Sequence, residues 1–164
     1  MEVKANVTGR IDKGLLLYVG IGPADAAAQA DWLAGKVATL RVFKDEEGKL
    51  NKCAAEVGGA ILAVPNFTLM GDARKGRRPS FTAAAGPDHA RPLFERFVER
   101  LRQADLRVES GPFGAHMHIL AVADGPVNMV IDSLGSNHAE TDTPAQEQAD
   151  AGSGPSGPGG DSTE

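Results

Sequence analysis

The sequence predicts an α/β domain in which a sheet packs against two helices. Two helical periodicities separated by short apolar runs predict it. Val7 to Gly20 reads as a first strand, with Gly14 bending the chain before Leu15-Leu16-Leu17-Tyr18-Val19. A helix follows from Asp25 to Arg41, because Ala26, Ala30, Leu33, Val37 and Leu40 recur at helical spacing. The acidic run Asp45-Glu46-Glu47-Gly48 reads as a hairpin-like turn. Ala60-Ile61-Leu62-Ala63-Val64 is short, apolar and rich in strand formers, so it reads as a buried strand. A second helix runs from about Asp88 to Ala104, with Leu93, Phe94, Phe97 and Leu101 on one face and Arg91, Glu95, Glu99 and Arg102 around it. Two more apolar runs, His118 to Val122 and Val127 to Ile131, close the pattern as strands.

At 164 residues with 41% hydrophobic composition, the chain is long enough for one domain with a real core. We place that domain at residues 1–136 and expect residues 137–164 to form a disordered acidic tail. That tail holds no Lys, Arg or aromatic residue, and Gly, Pro, Ser, Thr, Ala and Gln alternate with its six acidic residues. The whole chain carries −5, so the rest is near +1 and its low isoelectric point does not exclude an RNA ligand. No apolar stretch approaches the roughly 20 residues of a membrane span, and the start of the chain has no apolar signal region. A soluble cytoplasmic protein is expected, with neither membrane nor DNA as partner. Cys53 is the single cysteine, which rules out an intrachain disulfide or a cysteine metal cluster and suits a small packing residue.

Two segments end apolar runs without reading as core, Asn66-Phe67-Thr68-Leu69 and Asp124-Gly125-Pro126-Val127. Loops at strand ends are where sites are built. Between them Arg74, Lys75, Arg77 and Arg78 fall in a loop set by Gly76 and Pro79 and followed by Phe81. Clustered cations of this kind neutralise phosphates. Asp72 is suited to pairing with one of the arginines, and we assign it no chemical role. His116 and His118, two apart on a strand, would share a face. A catalytic zinc needs three protein ligands, and no third is identifiable, so neither metal nor cofactor is expected. Ser80 lies outside any Gly-x-Ser-x-Gly elbow, which disfavours a Ser-His-Asp hydrolase.

Asn66-Phe67-Thr68-Leu69, the segment Gly71 to Phe81, Phe113-Gly114-Ala115-x-Met117 and Asp124-Gly125-Pro126-Val127 together resemble the D-aminoacyl-tRNA deacylases, in order and at similar spacing from about Thr8 to Ser133. The resemblance implies a deacylase-type fold, a sheet or partly closed barrel against two helices, assembled as a homodimer. It implies hydrolysis of the ester bond of D-aminoacyl-tRNA, and of glycyl-tRNA mischarged on tRNA(Ala), with no required metal. Asn66, Phe67 and Thr68 would be the catalytic turn, with the Phe67 N–H placed to bind the developing oxyanion. The 2′-hydroxyl of the terminal adenosine of the tRNA would take the nucleophilic or activating part. Gly125, Pro126, Asn128 and Met117 would bind substrate. A cis Gly125-Pro126 pair would cross from one subunit into the pocket of the other, hold the α-amino group on its carbonyls and so read chirality without side chains. Arg74, Lys75, Arg77 and Arg78 would hold the tRNA acceptor end.

Three features depart from the pattern. Pro65-Asn66 stands where Ser-Gln is usual, Asn128 where a threonine follows Gly-Pro-Val, and related chains begin with an additional strand whose arginine braces the Gly-Pro pair. An editing deacylase for a misacylated L-residue or glycine is therefore an open alternative, as is a non-catalytic protein that binds the tRNA end.

Overall fold

The computed structural model describes residues 1–3 and 6–133. Its strands are β1 (Glu2–Val3), β2 (Asn6–Val7), β3 (Gly14–Val19), β4 (Phe43–Lys44), β5 (Leu50–Lys52), β6 (Ala60–Pro65) and β7 (Val108–Ser110), and its helices are α1 (Ala27–Thr39) and α2 (Pro87–Gln103). The expected disordered tail, 137–164, lies outside the described residues.

The centre is a parallel sheet in the order β3-β6-β7. Parallel neighbours need crossovers, and α1 lies between β3 and β6 in sequence, α2 between β6 and β7. The short pairs β1-β2 and β4-β5 are antiparallel, and β4-β5 closes the hairpin around Asp45 to Gly48. Asp45 holds that turn with its carboxylate, which accepts from the N–H groups of Glu47 (3.0 Å) and Lys49 (2.9 Å). The sheet is open among the described residues.

β6 is apolar throughout because both of its faces are covered. Ile61 and Ala63 face a core shared with Ala34 and Val37 of α1 and with Phe94, Phe97 and Leu101 of α2. Leu62 and Val64 point to the other face, where they pack with Met1, Leu16, Ile11, Met117 and Ile119. Such continuous apolar runs, rather than alternation, mark strands of doubly covered parallel sheets. Asp31 of α1 pins the helices together. Its carboxylate accepts from Nε and Nη2 of Arg96 (2.7 and 2.6 Å) and of Arg100 (2.9 and 3.0 Å). Hydrogen bonds first from Arg96, then from Arg100, hold the Asp31 carboxyl far below the usual carboxylate range.

Both expected helices are present: α1 is two residues shorter at each end, and α2 begins and ends one residue earlier than expected. The first expected strand is not continuous: Val7 ends β2 and β3 begins at Gly14. Residues 8–13 contain one apolar side chain, Ile11, so nothing ties that stretch to a core face. Gly14 starts β3 because a side chain cannot fit there. A Cβ on it would lie 1.7 Å from the Ala60 carbonyl oxygen. The runs 118–122 and 127–131 form no strand either. A single bridge pairs His118 with Glu2, through Glu2 N–H to His118 O (2.9 Å) and His118 N–H to Glu2 O (3.0 Å). The remainder finds no neighbouring strand among the described residues, and Val122 and Val130 are 99% and 90% exposed.

Phe97 is 2% exposed at the junction of sheet and helices. Phe97→Ala is expected to cost about 3–5 kcal/mol in denaturant unfolding. Asp31→Asn should lower Tm at neutral pH and have progressively less effect as pH falls. A carboxylate with a depressed folded pKa stabilises above its unfolded value, about 3.9, and that contribution is lost as pH drops toward the folded value. A Tm difference that is flat from pH 7 to pH 2 would remove the clamp.

Candidate active site

Ligands of open α/β sheets bind beyond the carboxyl ends of the strands. At that end of β6, the middle strand, the register with β3 runs as far as Val19 opposite Pro65. The Asn66 N–H then donates to Val19 O at 2.8 Å, and the chain turns into a short 3-10 helix, Phe67–Met70. Asn66 caps it. Its backbone is extended (φ −141°, ψ 92°) and its Oδ1 accepts from the Thr68 N–H at 3.1 Å and from the Thr68 hydroxyl at 2.5 Å. The Leu69 N–H donates to Asn66 O at 3.3 Å and the Gly71 N–H to Thr68 O at 3.1 Å.

The first N–H of the turn, that of Phe67, has no acceptor among the described residues. It is one of the orphan donors that every helix start leaves. Phe67 itself is 59% exposed, so this donor lies in a turn open to solvent rather than in the core. The Asn66 and Thr68 side chains bond to each other, and these bonds hold the turn in shape.

The cationic loop is built onto this turn. Asp72 and Ser80 exchange both backbone hydrogen bonds at 2.8 Å, closing residues 73–79 into a loop. The next residue, Phe81, sets its ring edge-to-face against Phe67, with centroids 5.3 Å apart and planes at 74°. The four cations are not equivalent. Arg74 is forked onto Asp72, Nε to Oδ1 at 2.9 Å and Nη2 to Oδ2 at 2.8 Å, while the Arg74 N–H also donates to Oδ1 at 2.9 Å. Those hydrogen bonds hold the Asp72 carboxyl down to about 2. Lys75, Arg77 and Arg78 are exposed and have no ion-pair partner among the described residues.

The other expected site residues stand apart. Met117 belongs to the small core with Met1, Leu62 and Val64. Phe113 packs its ring 6.4 Å from that of Phe94, with the Arg91 guanidinium 5.0 Å from its centroid, so this part of the motif braces α2. Gly125, Pro126 and Asn128 lie in an exposed stretch with no hydrogen bond, ion pair or ring contact to Asn66, Phe67 or Thr68. Gly125 has φ +120°, a value that favours glycine. The implied cis geometry is not present: no cis peptide bond occurs among the described residues, so Gly125-Pro126 is trans. Among the described residues nothing packs on this loop, which is exposed, and trans is the intrinsic preference of X–Pro by about 0.5–1 kcal/mol.

The His116 and His118 rings meet edge-to-face at 5.2 Å. Among the described residues no group of three or more His, Cys, Asp or Glu is placed to hold a metal ion. A cavity of about 380 Å³ lies behind the turn, between the end of β3, the start of α1, Met70, Ala83, Phe97 and Ile131. It is mainly apolar and carries no cation. No helix among the described residues is long and apolar enough to cross a membrane.

The model of the D-Tyr-tRNA(Tyr) deacylase family matches residues 1–132. The chain belongs to this family. It is 54% identical over 133 residues to the D-aminoacyl-tRNA deacylase of Symbiobacterium thermophilum, covering 81% of this chain and 88% of that protein. To the D-aminoacyl-tRNA deacylase of Thermotoga petrophila it is 50% identical over 131 residues, covering 80% and 88%. Among solved structures, the c-Myc DNA unwinding element binding protein superposes with TM-score 0.71 at 32% identity, covering 77% of this chain and 86% of that one. A probable eukaryotic D-amino acid tRNA deacylase superposes with TM-score 0.55 at 20% identity, covering 63% and 76%, which speaks to the fold alone.

For the deacylase family the sequence singled out the turn and the loop. It noted Phe81 after the cation cluster but gave this residue, which joins the two, no role. Because Arg74 is already occupied by Asp72, any phosphate binding by this loop should draw on Lys75, Arg77 and Arg78 more than on Arg74. Reversing the charges of Arg77 and Arg78 should reduce the slope of log affinity against log salt by about 1.4–1.8 in magnitude. Arg74→Ala should change it far less. Equal slopes for the two variants in a tRNA titration would refute the distinction.

Proposed function

We propose that the protein hydrolyses the ester bond of D-aminoacyl-tRNA, releasing free tRNA and the D-amino acid. The observation that carries this reading is the Phe67 N–H, without an acceptor among the described residues, on a side-chain-capped turn next to a loop whose Lys75, Arg77 and Arg78 have no ion-pair partner among the described residues. Membership of the deacylase family supplies the substrate class.

Lys75, Arg77 and Arg78 hold the phosphates of the acceptor end and leave the ester over the turn. The 2′-hydroxyl of the terminal adenosine activates a water molecule, whose oxygen attacks the ester carbonyl as its proton passes to the 2′-oxygen, and attack moves the carbonyl electrons onto oxygen. The Phe67 N–H donates to that oxyanion, and collapse breaks the bond to the 3′-oxygen, which leaves with a proton and frees the D-amino acid. A fixed donor costs no reorganisation as the charge appears. The protein supplies position and one hydrogen bond rather than an acid or base. Asn66 and Thr68 keep the donor aimed.

The working form we propose is a cytoplasmic homodimer of the domain 1–136. The exposed apolar run from Leu120 to Val130 supports a partner surface, since single-chain packing leaves it uncovered. In the dimer the second copy completes the sheet toward a partly closed barrel. Gly125-Pro126 enters the neighbouring pocket with Asn128 and Met117 beside the substrate. A second reading, editing of a misacylated L-residue or of glycyl-tRNA, is favoured by Pro65-Asn66. Turnover of D-Tyr-tRNA against L-Tyr-tRNA and glycyl-tRNA decides between them; inertness toward all three would leave only tRNA-end binding.

Phe67→Pro removes the donor and little else, because proline suits the first position of a helical turn and Asn66 already has the extended backbone that proline demands of its predecessor. Hydrolysis should fall about 10²–10³-fold, the cost of one oxyanion donor. Full turnover in a folded Phe67→Pro protein would remove this role. Mixing that variant with Gly125→Val, also inactive, should restore activity in heterodimers if the site is shared, since one of the two pockets is then intact. A demonstrably mixed dimer without activity would exclude the shared site.

A further inference from the structure

Phe67 and Phe81 form an aromatic pair that core packing does not explain. Phe67 is 59% and Phe81 38% exposed, and neither belongs to either core cluster. Their rings nevertheless meet in the preferred edge-to-face arrangement. The backbone around them is shaped for this contact. A Cβ on Gly71 would lie 2.9 Å from Phe81 Cε1 and 2.9 Å from Thr68 O, so only glycine lets the Phe81 ring rest on the turn. The Phe81 backbone is fixed too, one residue beyond the Asp72–Ser80 bridge and with its carbonyl accepting from the Ala84 N–H at 3.0 Å.

We propose that Phe81 is a positioning residue for deacylation: its ring, anchored at the base of the cationic loop, braces Phe67 and so holds the Phe67 N–H where the oxyanion develops. This inference rests on the reading of that N–H as the oxyanion donor. The turn has few other restraints. Asn66 fixes Thr68, and the backbone bonds of Leu69 and Gly71 fix the later residues, but Phe67 makes its one side-chain contact among rings with Phe81. The same arrangement joins substrate capture to chemistry. Phosphates drawn onto Lys75, Arg77 and Arg78 act on a loop whose closing residue leads directly into Phe81, so a seated acceptor end steadies the turn it must react over.

The test uses the full chain and D-Tyr-tRNA. Phe81→Leu should lower kcat roughly two- to tenfold, the worth of one aromatic pair felt in the transition state. KM should stay within about twofold, because the contact is not with substrate. Phe81→Tyr, which keeps the ring edge, should restore kcat. Gly71→Ala pushes on the same ring without removing it and should mimic Phe81→Leu, which keeps the inference testable if the leucine variant folds poorly. Unchanged kcat in both variants would overturn it. So would a raised KM at constant kcat, which would place Phe81 among the RNA contacts, or a tyrosine variant as slow as the leucine one. Phe67→Pro separates the two levels. Full activity in that variant sinks the donor reading itself, whereas an inactive Phe67→Pro beside a normal Phe81→Leu sinks only the bracing role.

Discussion

The site depends on the confinement of one strand. β6 is held on both edges by parallel neighbours and on both faces by apolar side chains, Ile61 and Ala63 toward the helices, Leu62 and Val64 away from them. A strand so enclosed has little freedom of register, because a slip of one residue would exchange its two faces. Its carboxyl end is therefore a fixed point, and the Asn66 N–H bond to Val19 O carries that fixity one residue past the strand. The candidate oxyanion donor is the next N–H along the chain. A donor that must be in place before charge appears needs this kind of support more than it needs any particular side chain.

Charge is then distributed by local pairing rather than by composition. The overall value of −5 says little about the surface next to the turn, where Lys75, Arg77 and Arg78 have no ion-pair partner among the described residues. Asp72 subtracts Arg74 from this set and in doing so stiffens the first turn of the loop. With its carboxyl held near 2 by the Arg74 hydrogen bonds, the pair stays intact throughout the pH range in which an ester enzyme would operate. Exposed pairs of this kind contribute little stability. Their use here is geometric, since Asp72 also supplies both backbone bonds that close the loop on Ser80.

Much of this was legible in the chain. The helices announce themselves through Leu33 and Val37, and through Phe94, Phe97 and Leu101, because the 3.6-residue period survives wherever one face is buried. β6 was legible as an apolar run bounded by turn formers. The break between Val7 and Gly14 was not, since two strand-like stretches joined by polar residues read as one when the collision at Gly14 is invisible. Nor was the contact of Phe81 with Phe67, which depends on a backbone bridge between Asp72 and Ser80 that no periodicity encodes. Asn66 gave its identity as a strand-end polar residue but not its work as a cap.

The run from His118 to Ile131 shows where sequence and single chain part company. Apolar alternation there, in Leu120, Val122 and Val130, has the composition of strands, yet the chain offers it one backbone bridge, at Glu2. A strand is a relation between two segments, and composition reports only one of them. The Gly125-Pro126 turn inherits the same dependence. Its conformation in isolation is the intrinsic trans preference, and a backbone filter for chirality would have to be imposed by whatever packs against it. The Phe67 turn is held by bonds within one chain, and the Gly125-Pro126 loop has no such support among the described residues. On the proposed reading, ester hydrolysis would therefore draw on β6 and stereochemical choice on assembly.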